Sequence, residues 1–215
     1  MIECEFMDKL FEGYRQFRTD YYEKNQKLFE TLAREGQAPK ILLIGCSDSR
    51  VDPSYIFGAE PGDLFVLRNV ANLVPPFAPD SHLHGTSAAL EFAVRTLKVE
   101  HIIVMGHTRC GGVQALMDDV EGADGDFISG WMAVARGARE RALVRSLSAG
   151  LSSEQTLRIC EQEVVALSMG NLMSFPWIHE PVQYGRLQIH GLWFDVETGE
   201  LFRLNPVTNV YEVVT

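Results

Sequence analysis

The sequence predicts an α/β fold, with a central, mostly parallel β-sheet flanked by helices, an N-terminal helical arm and a C-terminal antiparallel edge strand. Continuous aliphatic runs of strand length alternate with stretches of helical spacing, which is typical of parallel strands buried on both faces. The last part of the chain reads instead as strands joined by short turns. Because 215 residues with 46% hydrophobic composition suit one core, we expect a single domain over 1–215, made of a helical arm (1–35) and an α/β core (36–215).

The N-terminal arm is predicted from apolar residues that recur every three or four positions up to about residue 35. This spacing indicates two amphipathic helices. The residues concerned are Phe6, Leu10, Tyr14, Phe17, Tyr21, Leu28 and Leu32. The aromatic content suits an arm that packs on a partner subunit, although packing on the chain's own core explains it equally well.

The elements of the core follow in order along the chain. Predicted strands cover 41–44, 64–67, 101–105, 186–190, 192–196 and 201–204, and predicted helices cover 84–97, 128–147 and 154–174. Ser152-Ser-Glu-Gln155 has the spacing of a capping box and predicts where the last helix starts. Glu197-Thr-Gly-Glu200 separates the final two strands and predicts a hairpin.

Composition and charge argue against several classes of protein. The chain has 19 basic and 29 acidic side chains, a net charge of -10 and no run of Lys or Arg, so we expect no nucleic-acid partner. Its aliphatic runs are far shorter than the ~18 residues of a membrane span, so we expect no membrane association. The acidic opening at 1–8 does not resemble a secretory signal, which predicts a cytoplasmic protein.

Two glycine-rich turns carry the residues best suited to chemistry. Gly45-Cys-Ser-Asp-Ser-Arg50 follows the first predicted strand, and Gly106-His-Thr-Arg-Cys-Gly-Gly112 follows the third. Side chains at the carboxyl ends of parallel strands face one ligand crevice, so Cys46, His107 and Cys110 are expected to converge. Sulfur and nitrogen donors select zinc, and three protein ligands leave one tetrahedral position free for catalysis.

Asp48 and Arg50 lie beside the first cysteine. Asp48 is the closest candidate for a fourth ligand, whereas Arg50 can hold its carboxylate in a bidentate pair and keep it off the metal. An ionised Asp48 can orient zinc-bound hydroxide by accepting its hydrogen bond. Gly111 and Gly112 come at a predicted helix start, where free N–H groups can stabilise charge on a substrate oxygen or on the cysteine sulfur.

Other interpretations of these residues remain open. The three donors also fit a structural zinc site or buried thiols. A cysteine phosphatase or sulfur transferase would likewise place a nucleophilic cysteine and an arginine in a loop after a strand, but the phosphatase needs five residues between them, whereas three separate Cys46 from Arg50. Cys160 has apolar neighbours and is predicted to pack in the core. His82 and His84 can shuttle protons, although a solvated or capping role accounts for them as well.

Three segments together resemble the β-carbonic anhydrases, and in particular their plant-like subgroup. They are Cys-Ser-Asp-Ser-Arg at 46–50, Pro61-Gly-Asp-Leu-Phe-Val-Leu-Arg-Asn-Val-Ala-Asn-Leu-Val74, and Gly106-His-x-x-Cys-Gly-Gly112. The similarity continues through Cys160-Glu-Gln-Glu-Val-Val, Gly170-Asn-Leu and His190-Gly-Leu-Trp-Phe-Asp, and only the arm matches weakly.

The resemblance implies reversible hydration of carbon dioxide to bicarbonate and a proton by zinc-bound hydroxide. It implies one Zn²⁺ per subunit on Cys46, His107 and Cys110, the Asp48–Arg50 dyad as catalytic residues, and a homodimer, extended in some members to a tetramer or octamer, with active sites at the subunit interface. Two alternatives stay open: hydrolysis of carbonyl sulfide or carbon disulfide on the same scaffold, and a non-catalytic, zinc-stabilised dimer module.

The resemblance also implies a substrate pocket. Gln37 matches a glutamine that reaches into the partner's site. Phe65, Val70 and Phe92 match the apolar lining, although plant-like members often have tyrosine where Phe92 stands.

Some bacterial members bind a second, inhibitory bicarbonate through Trp, Arg and Tyr. The matching residues here are Leu43, Arg68 and Phe194, so two of the three are missing. The resemblance therefore predicts an open zinc site and no bicarbonate-driven switch.

Overall fold

The computed structural model describes residues 2–80, 82–118 and 127–215, and in the first of these ranges it describes side chains from Phe6 onward. The chain divides into two compact units, Met1–Ala38 and Pro39–Thr215. In the first unit, helix α1 (Ile2–Gln16) continues into a π-helical stretch and is followed by helix α2 (Gln26–Glu35). Both predicted helices are therefore present. The rings of Phe17, Tyr21 and Tyr22 pack against Phe29, with centroids 4.9 to 6.1 Å apart.

A six-stranded sheet organises the second unit. Its strands are β1 (Ile41–Cys46), β2 (Leu64–Asn69), β3 (His101–His107), β4 (Gln188–Phe194), β5 (Leu201–Leu204) and β6 (Tyr211–Val213), in the spatial order β2-β1-β3-β4-β5-β6. The first four strands are parallel, and β5 and β6 are antiparallel to their neighbours. The predicted fold class is thus confirmed. The predicted strands at 186–190 and 192–196 form a single strand, and the three-residue β6 was not predicted because it is too short to show alternation.

Helices pack around this sheet. They are α3 (Pro53–Phe57), α4 (Gly85–Glu91), α5 (Gly111–Met117), α6 (Ile128–Met132), α7 (Arg136–Ala149), α8 (Ser153–Leu172) and α9 (Pro176–Gln183). The predicted helices at 84–97 and 154–174 are confirmed to within a few residues, and α4 runs on into a π-helical turn at Phe92–Leu97. The predicted helical stretch at 128–147 forms two helices, α6 and α7, separated by a 3-10 turn at Ala133–Ala135. The predicted capping box is formed, since Ser152 and Gln155 exchange side-chain and backbone hydrogen bonds. The short helices α3 and α9 were not predicted; both begin at proline.

Helix α8 lies directly on the sheet because two glycines leave room for it. A Cβ atom at Gly106 of β3 would come within 2.7 Å of Val165 Cγ2, and one at Gly191 of β4 within 2.7 Å of Met169 Sδ. Val164 and Val165 of α8 contribute to two different buried clusters, one on the sheet and one around the ends of β1 and β3. In the part of the chain described, no helix is both long enough and apolar enough to cross a membrane.

Candidate metal centre

The two glycine-rich turns meet at the carboxyl edge of the sheet, because β1 and β3 are parallel neighbours in register from Ile41↔His101 to Gly45↔Met105. Cys46 ends β1, His107 ends β3, and Cys110 precedes α5 as its N-cap residue. The ligand atoms of these three buried side chains lie within 4.8 Å of one another, and the two sulfurs are 3.9 Å apart. The structure therefore brings the three predicted zinc ligands together.

The donor set fits a zinc ion. His107 Nδ1 lies 2.8 Å from the carbonyl oxygen of Thr108, which can only accept a hydrogen bond, so Nδ1 carries the proton and Nε2 offers its lone pair. Within the described residues that buried Nε2 atom has no hydrogen-bond partner. Tetrahedral coordination with Zn–S bonds of about 2.3 Å places two sulfurs about 3.8 Å apart, close to the observed separation.

The two thiols titrate as a pair. The neighbouring thiol of Cys110, assisted by His107 and by the backbone at Asp48 and Ala71, lowers the pKa of Cys46 to about 4, against the opposing effect of burial. The pKa of Cys110 is raised because its proton is shared with the Cys46 sulfur and because it is buried. A divalent cation that replaces the shared proton stabilises both thiolates.

Asp48 and Arg50 form the predicted bidentate pair. Asp48 Oδ1 accepts hydrogen bonds from the backbone N–H and Nε of Arg50 at 3.0 and 2.9 Å, and Oδ2 accepts one from Nη2 at 2.7 Å. The guanidinium holds the pKa of the Asp48 carboxyl well below its usual range, so this group is ionised at neutral pH. Asp48 Oδ2 lies 4.0 Å from His107 Nε2. The carboxylate is therefore next to the three donor side chains, while its oxygens are hydrogen-bonded to Arg50.

Arg50 also joins the two ligand turns. Its Nη2 donates to the carbonyl oxygen of Arg109 at 3.0 Å, across 59 residues of sequence. Arg109 has a left-handed backbone with φ of 53°, and its side chain pairs with Glu154 and Glu197. One guanidinium therefore contacts both the turn after Cys46 and the turn before Cys110.

Two residues near the centre were not predicted to have a role there. Arg68 donates to the backbone carbonyl oxygens of Cys46 and Asp48 at 2.8 and 2.7 Å. Glu161 on α8 is 2% exposed and accepts the backbone N–H of Cys110 at 3.1 Å; burial raises its pKa to about 7. Glu161 has one sequence signal, because it shares a buried helix face with Val164 and Val165.

The four residues predicted to line the substrate pocket, Gln37, Phe65, Val70 and Phe92, belong to different segments of the structure. The rings of Phe65 and Phe92 are 5.8 Å apart, and Phe92 is 44% exposed. Val70 lies against Gly112, where a Cβ atom would come within 2.7 Å of Val70 Cγ1. Gln37 is exposed in the first unit, just after α2, and its contact with substrate stays a prediction.

The glycines after Cys110 begin α5 as predicted. The pKa of the Cys110 thiol is raised by Cys46 and by burial, and the backbone N–H groups of Gly112 and Val113 oppose this only in part, so a role for Gly112 in stabilising charge stays a prediction. Gly111 is exposed beside it.

The remaining candidates lie outside the donor set. Cys160 is fully buried, as predicted for a core residue. His82 and His84 both pair with Asp80, at 3.1 and 2.7 Å. The side chain of Cys4 falls outside the described residues.

Comparison with known proteins gives a consistent result. A family model described as carbonic anhydrase matches residues 41–201. Beta carbonic anhydrase 3 of Arabidopsis thaliana is 38% identical over 200 residues, which cover 92% of this chain and 76% of that protein. The solved β-carbonic anhydrase CcaA has a TM-score of 0.90 at 33% identity, covering 98% of this chain and 93% of its own. A tetrameric β-carbonic anhydrase from Sordaria macrospora has a TM-score of 0.76 at 33% identity, with 94% and 95% covered.

Proposed function

Because this chain belongs to the β-class carbonic anhydrases, we propose that it catalyses the reversible hydration of carbon dioxide to bicarbonate and a proton, with one Zn²⁺ per subunit on Cys46, His107 and Cys110. The observation that carries the proposal is the buried Cys–His–Cys set, with a free imidazole lone pair, beside a fully formed Asp48–Arg50 pair. A zinc ion bound there supplies a Lewis acid that makes water a better nucleophile near neutral pH.

Asp48 is the residue that orients the nucleophile. Its carboxylate is ionised and borders the donor set, so Oδ2 can accept a hydrogen bond from the attacking oxygen and direct a lone pair toward the substrate carbon. Arg50 fixes the carboxylate through two side-chain donors. The same pair keeps Asp48 from becoming a fourth ligand, which supports an open coordination position and assignment to the plant-like subgroup.

The substrate pocket is proposed to be apolar because carbon dioxide carries no net charge. Val70 lies against the start of α5, next to Cys110, and the rings of Phe65 and Phe92 provide further apolar surface. Gln37 is proposed to contribute a polar contact from its own unit to the site of a partner subunit.

Assembly as a homodimer or a higher oligomer is part of the proposal. It is supported by the tetrameric Sordaria macrospora enzymes and by the apolar face of α1, where Phe6, Leu10 and Tyr14 are exposed. A cytoplasmic location stays a prediction, which fractionation of cells expressing the native protein would test.

Two substitutions test the chemistry. Cys46→Ala is expected to lose zinc and hydration activity together. Asp48→Asn should keep zinc but lose about tenfold or more in kcat, since an amide is a weaker acceptor and no longer matches Arg50. Asp63→Asn, which changes a carboxylate that accepts a backbone N–H elsewhere, is the matched control. Metal analysis and stopped-flow hydration provide the measurements.

Two results would contradict the proposal. Hydration by zinc-free parent protein would remove the metal from the reaction, and equal kcat in Asp48→Asn and the parent would remove the role of the carboxylate. Hydrogen sulfide release from carbonyl sulfide or carbon disulfide, without hydration of carbon dioxide, would assign the scaffold to the alternative hydrolase.

A further inference from the structure

The turn between the second and third ligands has a strained backbone. Only Thr108 and Arg109 separate His107 from Cys110, and Arg109 has a left-handed backbone with φ of 53°. A residue other than glycine adopts this conformation at a cost of about 1 kcal/mol or more. The turn therefore keeps its shape only if other groups hold it.

The buried side chain of Glu161, on helix α8, contacts this turn. Oε1 of Glu161 accepts the backbone N–H of Cys110 at 3.1 Å, and the preceding backbone N–H, that of Arg109, favours the ionised form of the same carboxyl group. Successive backbone N–H groups in a turn that includes a left-handed residue form a concave site that favours an anion. Glu161 places its carboxyl group in that site from within the protein, and it is 2% exposed.

The carboxylate stands on a rigid support. Glu161 belongs to the 20-residue helix α8, which begins with a complete capping box. The same helix touches the sheet at Gly106, where a Cβ atom would lie 2.7 Å from Val165 Cγ2 and 3.6 Å from the carbonyl oxygen of Glu161 itself. Gly106 immediately precedes His107, so α8 contacts the ligand turn at both ends.

From these contacts we propose that Glu161 is a positioning residue, which holds the turn between His107 and Cys110 in the shape that presents both donors to one zinc ion. It acts through the backbone of Arg109 and Cys110 and does not touch the metal or the substrate. The inference rests on the proposed function, because it assumes that zinc occupies the donor set.

The test compares two carboxylates of the same helix. Glu163, two residues further along α8, pairs with Arg141 and Arg145 of α7 and is the matched control. In Glu161→Ala the affinity for zinc, measured by competition with a chelator, is expected to fall about tenfold or more. With Co²⁺ as a spectroscopic probe, its thiolate charge-transfer and d–d absorption should shift. Glu163→Ala is expected to lower thermal stability but to change neither metal readout.

A second variant keeps the test decisive if Glu161→Ala does not fold. Glu161→Gln retains an acceptor oxygen but cannot ionise, and it replaces the second oxygen by an NH2 group. We expect a smaller loss of zinc affinity than in Glu161→Ala, together with upfield NMR shifts of the Arg109 and Cys110 amide protons that Glu163→Gln does not show. Folded Glu161→Gln with unchanged amide shifts and unchanged zinc affinity would overturn the proposal. These readouts do not involve turnover, so a parent protein that binds zinc without hydrating carbon dioxide would contradict the proposed function alone.

Discussion

Arg68 is the side chain that ties the first ligand turn to the sheet. It lies on β2 opposite Gly45 of β1, and from there its guanidinium donates to the carbonyl oxygens of Cys46 and Asp48 and to the carboxylate of Asp52. The planar fork of arginine can satisfy all of these acceptors at once, which a lysine ammonium cannot do in the same geometry. Asp48 is therefore held through its backbone by Arg68 and through its side chain by Arg50.

Replacing Arg68 tests this arrangement. Arg68→Met removes one donor from each of two backbone carbonyl groups, those of Cys46 and Asp48. This is expected to cost about 1–3 kcal/mol of stability and to lower kcat about tenfold or more as Asp48 loses its orientation. Arg95→Met, which breaks an exposed pair with Glu91, should change stability by less than about 1 kcal/mol. Chemical denaturation and stopped-flow hydration of zinc-loaded protein measure both. Parent-like turnover in Arg68→Met would show that Arg50 alone orients Asp48.

Helix α8 connects the sheet to the metal centre. Besides Glu161, it provides Ser168, whose hydroxyl donates to the carbonyl oxygen of Asn72 and accepts the backbone N–H of Val74. These bonds fix the segment that follows β2, which includes the left-handed residues Ala71 and Asn72. Gly106 sets the distance between α8 and the sheet. The packing of α8 on β3 therefore positions both the turn before Cys110 and the segment after β2, which α8 contacts through Glu161 and Ser168.

Two glycine-to-alanine substitutions distinguish the close packing of α8 on β3 from the general effect of alanine on helix stability. Gly106→Ala forces a Cβ atom against the stiff, β-branched Val165, so we expect a loss of about 1–3 kcal/mol in the free energy of unfolding. Gly170→Ala, within α8 but with no atom within 4 Å of the added carbon, should instead stabilise the protein by up to about 1 kcal/mol. Urea denaturation measures both. An unchanged free energy of unfolding in Gly106→Ala would mean that α8 can move away from β3 without loss of stability.

At the scale of the whole molecule, we expect the first unit to provide the contact between subunits. Its helix α1 exposes 70% of Phe6 and 66% of Leu10, and apolar residues so exposed along one helix are more typical of a contact surface than of a free monomer. The rings of its π-helical stretch pack on Phe29 of α2, but no residue of that stretch or of α2 is buried. An oligomer that buries α1 would remove this apolar surface from water.

Sedimentation of an arm variant tests the assembly. We expect the parent to sediment as a dimer or larger species, and Phe6→Ser combined with Leu10→Ser to shift it toward the monomer because burial of both side chains contributes several kcal/mol. Leu147→Ser, which alters an exposed leucine on α7, is the control and should leave the mass unchanged. A parent that sediments as a monomer, or a double variant of unchanged mass, would show that α1 is not the contact.

Much of this protein was predictable because the informative residues are close together in sequence. The runs at β1 and β3 place Cys46 and His107 at strand ends, and parallel pairing then brings their turns together whatever the rest of the chain does. The Asp48–Arg50 pair spans two residues, and the α8 capping box spans three, so local spacing was sufficient for both.

Only the tertiary structure decided which distant residues support these turns. Arg68 reaches Cys46 across 22 residues and Glu161 reaches Cys110 across 51, and neither spacing leaves a periodic signal in the sequence. The placement of both residues follows from the strand order and from how closely α8 approaches β3. Local sequence patterns therefore determined which side chains can bind the metal, whereas long-range packing decided which residues support them. The reason is that a backbone carbonyl or N–H group can hydrogen-bond to any suitable partner that the fold brings near.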